Sequence, residues 1–472
     1  MFSHRVAAVV IVLAALMTAT STAALAQEPD SERFPRIRLL QGLQSSNAVV
    51  RATAMESLEE HGLTPEVADV LITVLDKQYN RRTRLRSTTL DMLRLLADID
   101  TDMVAAAMLK YLDAAHYEFI VAAADHLSRR GDQRALEPLL AMHQRAEFAQ
   151  TFGLRRAVTD SLARYRDKRV VEYALARLPE SQGTMRHNLL RYLMRVSRQQ
   201  FGADHTIWNV WWTDNRDDFE FPEPETEPES EDAQSDAKIA EIKGYEVPRY
   251  YDFPIYARRV VFVLDRSDSM SAGEEMSKLE SAKVELKTAV NGLAEQVYFG
   301  IVLFDARVRN WNRELIAADD KSKQAAARYI DGISAGQGTN TYEALLEALQ
   351  MDGNTEAVFF LSDGAANDGD ITEPDDIVKA IATENYFRRA TVYSIGVGVT
   401  GETGTFMRSL AAETGGVYHR VGGDPAADDP IAGAGDVNSG LDETGRPAGG
   451  RTNRGDAGRR DAAGRPINDV DS

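Results

Sequence analysis

Asp265, Ser267 and Ser269 stand within five residues in the spacing D-x-S-x-S. Downstream, Thr339 follows a glycine-rich stretch and Asp363 follows a short apolar run. Two carboxylates and three hydroxyls form a hard-oxygen set, suited to Mg²⁺ or Ca²⁺ and poorly suited to soft metals. Covalent catalysis lacks its parts. After residue 233 the chain has one histidine, His419, and no Ser–His or lysine-based nucleophile pair is visible. Taken alone, D-x-S-x-S reads equally well as a polar strand-to-helix turn with serine caps.

The elements around these residues decide between the two readings. Val260 to Leu264 is an apolar, β-branched run, as in a strand buried on both faces. Its carboxyl end, where α/β sheets hold ligands, is the D-x-S-x-S stretch. Leu279, Ala282, Leu286, Ala289, Val290 and Leu293 recur at helical spacing, and Val297 to Phe304 reads as the next strand. Gly336-Gln-Gly-Thr-Asn-Thr341 is a loop delivering Thr339 to the start of a helix over Tyr342–Gln350. Ala357 to Leu361 is another buried strand, ending in Ser362-Asp363-Gly364. A helix over 375–390, a strand over 391–397, a helix over 405–414 and a strand over 417–421 complete an alternation that predicts a mainly parallel sheet covered on both faces. Tyr250 to Phe253 is expected to cover an edge of this domain.

A strand-end D-x-S-x-S, a threonine from a second loop and an aspartate from a third strand end resemble the metal-ion-dependent adhesion site of von Willebrand factor type A domains. The resemblance spans roughly residues 258–422. It implies a Rossmann-like α/β fold and a metal site made of Asp265, Ser267, Ser269, Thr339 and Asp363. In such a site Ser267 and Ser269 coordinate directly, Thr339 directly or through water, and Asp265 and Asp363 largely through bridging waters. Mg²⁺ is the expected ion, with Ca²⁺ or Mn²⁺ as alternatives, and one open position accepts a partner's carboxylate. The function implied is cation-dependent protein binding, for adhesion or scaffolding, rather than enzymatic. The alternatives are a metal-assisted hydrolase, and a structural envelope protein whose metal site no longer works. The chain departs from the pattern at Asp268, where the family usually has glycine. Asp268 adds a carboxylate beside the ion and asks a non-glycine residue to take that turn. Gly396-Val-Gly-Val-Thr-Gly401 matches a dinucleotide fingerprint, but it follows the penultimate strand and has no acidic residue about twenty positions on.

The remaining chain frames this domain. Its 472 residues carry a net charge of −19 and no cysteine. The acidic balance speaks against nucleic acid as a partner, and there can be no disulfide or cysteine metal site. Residues 33–200 are mildly basic, with 26 Lys/Arg against 20 Asp/Glu. Val6 to Met17 is a 12-residue apolar run followed by Ala24-Leu25-Ala26, the form of a bacterial-type secretory signal. The protein is therefore expected to be periplasmic or secreted, with no membrane span after cleavage. Asp132-Gln-Arg-Ala-Leu-Glu-Pro-Leu-Leu140 recurs as Asp167-Lys-Arg-Val-Val-Glu-Tyr-Ala-Leu175, 35 residues on. A repeat of that size with helical period marks an α-solenoid and resembles HEAT repeats. Trp208, Trp211 and Trp212 suit a helix that caps the array. Residues 217–232 hold nine acidic residues, three prolines and no basic residue, the composition of an extended linker. The expected order is a signal peptide over 1–26, a HEAT-like helical domain over 27–216, a linker over 217–248, a type A domain over 249–422 and a disordered tail over 423–472.

Overall fold

The computed structural model describes residues 34–223, 247–273 and 275–422. The expected signal peptide, most of the acidic linker and the tail lie outside the described residues. The chain divides into two compact units, one through Val104 and one from Ala105.

The first unit is helical: α1 (Arg36–Gln44), α2 (Ala48–Glu60), α3 (Pro65–Leu75) and α4 (Ser87–Ala97). Side-chain oxygens set two of its helix starts. Asn47 accepts from the Val49 amide at the start of α2, and Thr64 accepts from the Val67 amide just before Pro65 at the start of α3. Val67, Ala68, Val70, Leu71, Val74 and Leu75 of α3 are all buried.

Helix α5 (Asp102–Tyr111) spans the division, and the second unit continues with α6 (Tyr117–Arg129), α7 (Leu136–Ala141), α8 (Ala146–Gln150), α9 (Phe152–Leu162), α10 (Lys168–Arg177), α11 (Gly183–Ser197) and α12 (His205–Asn215). The 35-residue repeat survives in atomic detail. Asp132 accepts from the Arg134 amide at 3.0 Å, and Asp167 from the Arg169 amide at 2.9 Å. The same arginine side chain then pairs with its own aspartate in both copies. The copies differ where Pro138 stands. Proline has no N–H to give and belongs in a first turn, so the first copy opens with a 3₁₀ turn over Gln133–Ala135 before α7 starts. Trp208 is fully buried and donates from Nε1 to the Gly202 carbonyl at 2.8 Å, and Trp212 is buried one turn on. Trp211 is only half-buried.

The α/β part comprises β1 (Arg249–Tyr250), β2 (Phe253–Pro254), β3 (Arg259–Asp265), α13 (Lys278–Gly292), β4 (Tyr298–Phe304), β5 (Val308–Asn310), β6 (Ile316–Ala317), α14 (Asp320–Asp331), α15 (Thr341–Gln350), β7 (Ala357–Ser362), α16 (Pro374–Asn385), β8 (Thr391–Val397), α17 (Gly401–Glu413) and β9 (Tyr418–Val421). The sheet runs β5-β4-β3-β7-β8-β9, with β6 also on β4. The β3, β4, β7, β8 and β9 pairings are parallel, and β5 and β6 are antiparallel additions to β4. Alternation sends Val260, Phe262 and Leu264 of β3 to one face, under α13, and Val261 and Val263 to the other, under α15. Each fully buried side chain of this size contributes about 1.5–3 kcal/mol.

One expectation needs correction. The Tyr250–Phe253 stretch does not cover an edge. It forms the β1–β2 hairpin on a sheet face, with Tyr250 buried against Phe262 at 5.2 Å and Phe359 at 5.9 Å between ring centroids. An aromatic pair that large fills a face left open between helices, which an edge strand could not offer. Helices from α6 onward fall in the same contact unit as the α/β part. The reason lies at the amino ends of the strands. A Cβ on Gly153 would meet the Phe387 carbonyl oxygen at 2.1 Å, so α9 approaches closely only without one. The Phe152 amide donates to Asn354 Oδ1 at 2.7 Å, and Arg156 donates to the Arg389 carbonyl at 2.7 Å. Arg389 itself pairs with Asp125 of α6. Buried Glu356 accepts from the Thr184 amide of α11 and the Arg258 amide just before β3, both at 3.1 Å.

Candidate functional site

Parallel pairing brings the strand ends together. Asp265 of β3 lies opposite Phe304 of β4, and Leu264 opposite Leu361 of β7, so Asp265 and Ser362 become neighbours. Asp265 is fully buried and its oxygens are both engaged. Oδ1 accepts from the Ser267 amide at 2.8 Å and Oδ2 from the Ser362 hydroxyl at 2.5 Å. Burial pushes the Asp265 carboxyl up to about 6, against the pull of the Ser362 hydroxyl and the Ser267 amide.

After Ser267 the chain makes a 3₁₀ turn over Asp268–Ser271, anchored by fully buried Met270. This turn sets Ser267 Oγ and Ser269 Oγ 3.0 Å apart, and Ser269 Oγ donates to Asp363 Oδ1 at 2.6 Å. The other Asp363 oxygen takes the Lys278 ammonium at 2.6 Å. Four of the five sequence-predicted residues thus form one linked group: Asp265, Ser267, Ser269 and Asp363.

The fifth, Thr339, is buried, and its backbone is tied to the loop that follows Asp363. Its amide donates to Asn367 Oδ1 at 2.9 Å, and its carbonyl accepts from the Asn367 amide at 3.1 Å. A second tie runs beneath. Arg266 forms a buried ion pair with Asp305 at the end of β4 and donates to the Ser334 carbonyl at 2.6 Å. Its own carbonyl accepts from the Gly336 amide at 2.7 Å, and the Asp305 carbonyl accepts from the Asn340 amide at 2.9 Å. A Cβ on Gly336 would meet Asp305 Oδ2 at 2.1 Å, so the loop reaches this pair only as glycine. Burial raises the Asp305 carboxyl, but the Arg307 amide and the Arg266 guanidinium outweigh that and hold it below the usual range.

Sequence reading missed Arg266, Asp305, Asn367 and Lys278. Arg266 lies inside the D-x-S-x-S stretch, and Asp305 follows β4 directly, as Asp265 ends β3. Those positions were the available signals. Asp268 differs from expectation. It is exposed, and it is not among the non-glycine residues with positive φ, which in the described residues are Arg198, Tyr251 and Arg389. A 3₁₀ turn asks for ordinary right-handed backbone, so aspartate fits where glycine was expected without strain.

The donor set fits a small hard cation. Hydroxyl and carboxylate oxygens converge from the loops after β3 and β7, and the carboxylates supply charge without histidine or thiolate. Among the described residues no three of His, Cys, Asp and Glu cluster as a metal site, here or elsewhere, so the set rests on hydroxyls beside two carboxylates.

A family model described as the von Willebrand factor type A domain matches residues 258–420. Residues 258–420 are a von Willebrand factor type A domain. Inter-alpha-trypsin inhibitor heavy chain H3 of Mesocricetus auratus is 25% identical over 203 residues, covering 40% of this chain and 22% of the relative. Heavy chain H2 of Homo sapiens is 29% identical over 177 residues, covering 35% and 18%. The chain thus spans less than a quarter of the length of these curated relatives, and the similarity concerns the type A domain. Among solved structures, a von Willebrand factor type A protein from Catenulispora acidiphila is 22% identical, covers 37% of this chain and 40% of that one, and has a TM-score of 0.31. Among the described residues no helix is long and apolar enough to cross a membrane.

Proposed function

We propose that this chain is a periplasmic or secreted, divalent-cation-dependent protein-binding module, with its type A domain carried on a helical-repeat scaffold. The observation that carries the reading is the linked group of Asp265, Ser267, Ser269 and Asp363, with Thr339 tied to the same loops. Ser267 and Ser269 would hold Mg²⁺, or Mn²⁺ or Ca²⁺, directly; Thr339, Asp265 and Asp363 would complete the set. Once bound, the ion offers a Lewis-acidic position to an acidic side chain of a partner. The protein's own part is orientation. Asp265 holds the turn through the Ser267 amide, and Asp363 holds the Ser269 hydroxyl.

Binding rather than catalysis is favoured because no histidine or lysine stands among the hydrogen-bond partners of Ser267 or Ser269, and the one carboxylate there, Asp363, is itself paired with Lys278. The amino ends of the strands are taken up by α9 and α11, whereas the candidate site lies at the carboxyl ends. The test is binding of an immobilised full chain to an acidic partner peptide in Mg²⁺ and in EDTA. Retention in Mg²⁺ and release in EDTA support the reading; equal binding in both removes it.

A further inference from the structure

Lys278 is out of place by local rules. It is the first residue of α13, after Ser277, whose hydroxyl accepts from the Glu280 amide. Helix amino ends favour negative charge, and a cation there is disfavoured. Its side chain is folded inward. Nζ lies 2.6 Å from Asp363 Oδ2, and a Cβ on Gly398, at the end of β8, would stand only 3.6 Å from Lys278 Cε. The Asp363 side chain is fully buried, while Lys278 keeps 28% of its side chain exposed. A locally disfavoured residue at a site edge points to a role in that site.

The charges say which role. Of the site's two carboxylates, Asp265 has no cationic partner among its hydrogen bonds, while Asp363 is matched by Lys278. The other nearby cation, Arg266, is matched by Asp305. The Asp363 carboxylate lies between Lys278 and Ser269, one oxygen on each, so the ammonium lies within about 7 Å of a proposed cation-holding hydroxyl. At that range, near a surface, like charges interact by an amount that changes binding measurably.

We propose that Lys278 sets the balance of this site: it lowers cation affinity by offsetting Asp363, and thereby leaves the bound ion more charge for an acidic partner. The inference deepens the proposed function and rests on it. A residue that merely braced Asp363 would act differently, since losing it would weaken both the cation and the partner.

The test uses the full chain as wild type, Lys278→Met and Lys278→Arg. Mn²⁺ binding alone is titrated calorimetrically, and a labelled, C-terminally amidated aspartate-rich peptide is titrated at saturating Mn²⁺. Lys278→Met is expected to bind Mn²⁺ about tenfold more tightly and the peptide about tenfold more weakly. Lys278→Arg is expected to restore both values to within a few-fold of wild type. Weakening of both, or any result other than the opposed pair of shifts, overturns the inference. Wild-type protein that takes up no Mn²⁺ would instead remove the proposed function itself, so the two failures are distinguishable.

Discussion

Glu356 gives the sharpest test of how the helical segment joins the α/β part. Its Oε2 is shared by the Thr184 amide of α11 and the Arg258 amide at the entry to β3, each at 3.1 Å, in a position only 6% exposed. Replacing Glu356 with alanine leaves two buried N–H donors unpaired. Each such loss costs about 1–3 kcal/mol, and some entry of water reduces the sum, so Glu356→Ala should destabilise the unit by about 3 kcal/mol. Glu356→Gln keeps a carbonyl oxygen for both donors and removes the buried charge, so it should stay within about 1 kcal/mol of wild type. Burial raises the Glu356 carboxyl, against the Arg258 and Thr184 amides and the Arg155 charge. The folded state therefore holds this proton to higher pH than the unfolded chain does. Stability from this group is lost as pH rises from the ordinary carboxyl range through the raised value. The Glu356→Gln variant should accordingly gain on wild type at pH 7.5 relative to pH 4.5. Thermal unfolding of the full chain at both pH values reads all of this, with several degrees expected for the alanine variant. An unchanged Tm for Glu356→Ala, or equal losses for alanine and glutamine, would refute the reasoning.

Three further outcomes follow from the same contacts. Cleavage at a protease site inserted between Glu231 and Asp232 should leave two pieces that co-elute in size exclusion, because α9 and α11 hold the α/β part; separate elution would contradict this. Asp268→Gly should change Mn²⁺ affinity only a few-fold, and less in 0.5 M NaCl, since the side chain is exposed and screened; a tenfold change would mean that Asp268 turns toward the ion. Phe359→Ala should cost about 3–5 kcal/mol in chemical denaturation, because this fully buried ring stacks on Phe262 and Tyr393.

The strands that carry the site were legible because a strand buried on both faces must be apolar throughout. Val260 to Leu264, Val297 to Phe304 and Ala357 to Leu361 all read that way, and each is observed within one residue of its expected end. The edge additions β5 and β6 were not legible: they are three and two residues long and partly exposed, so neither has a period to detect. Helix α14 was missed for a related reason, as only Ala326 and Ile330 of its twelve residues are buried. The predicted helix over 375–390 ends early at Asn385, whose side chain bonds both the amide and the carbonyl of Ala390 and closes the turn before β8. In the site, the oxygen-bearing residues announced themselves by spacing. Their supports did not, because Arg266 with Asp305 and Asn367 with Thr339 are long-range pairs of common residue types. The docking of the helices was equally hidden, since Glu356 and Gly153 look like ordinary loop and helix residues until the close approach is seen.

The central claim is that Ser267 and Ser269 hold a divalent cation at the strand ends, and one titration tests it most directly. The full chain, stripped with chelator and dialysed, is titrated with Mg²⁺ and with Mn²⁺, beside Ser267→Ala. That substitution keeps the Ser267 amide bond to Asp265 and should leave the melting curve unchanged. The account predicts one binding event per chain in wild type and its loss in Ser267→Ala at equal stability. The same heats in both proteins, or none in wild type, would contradict it.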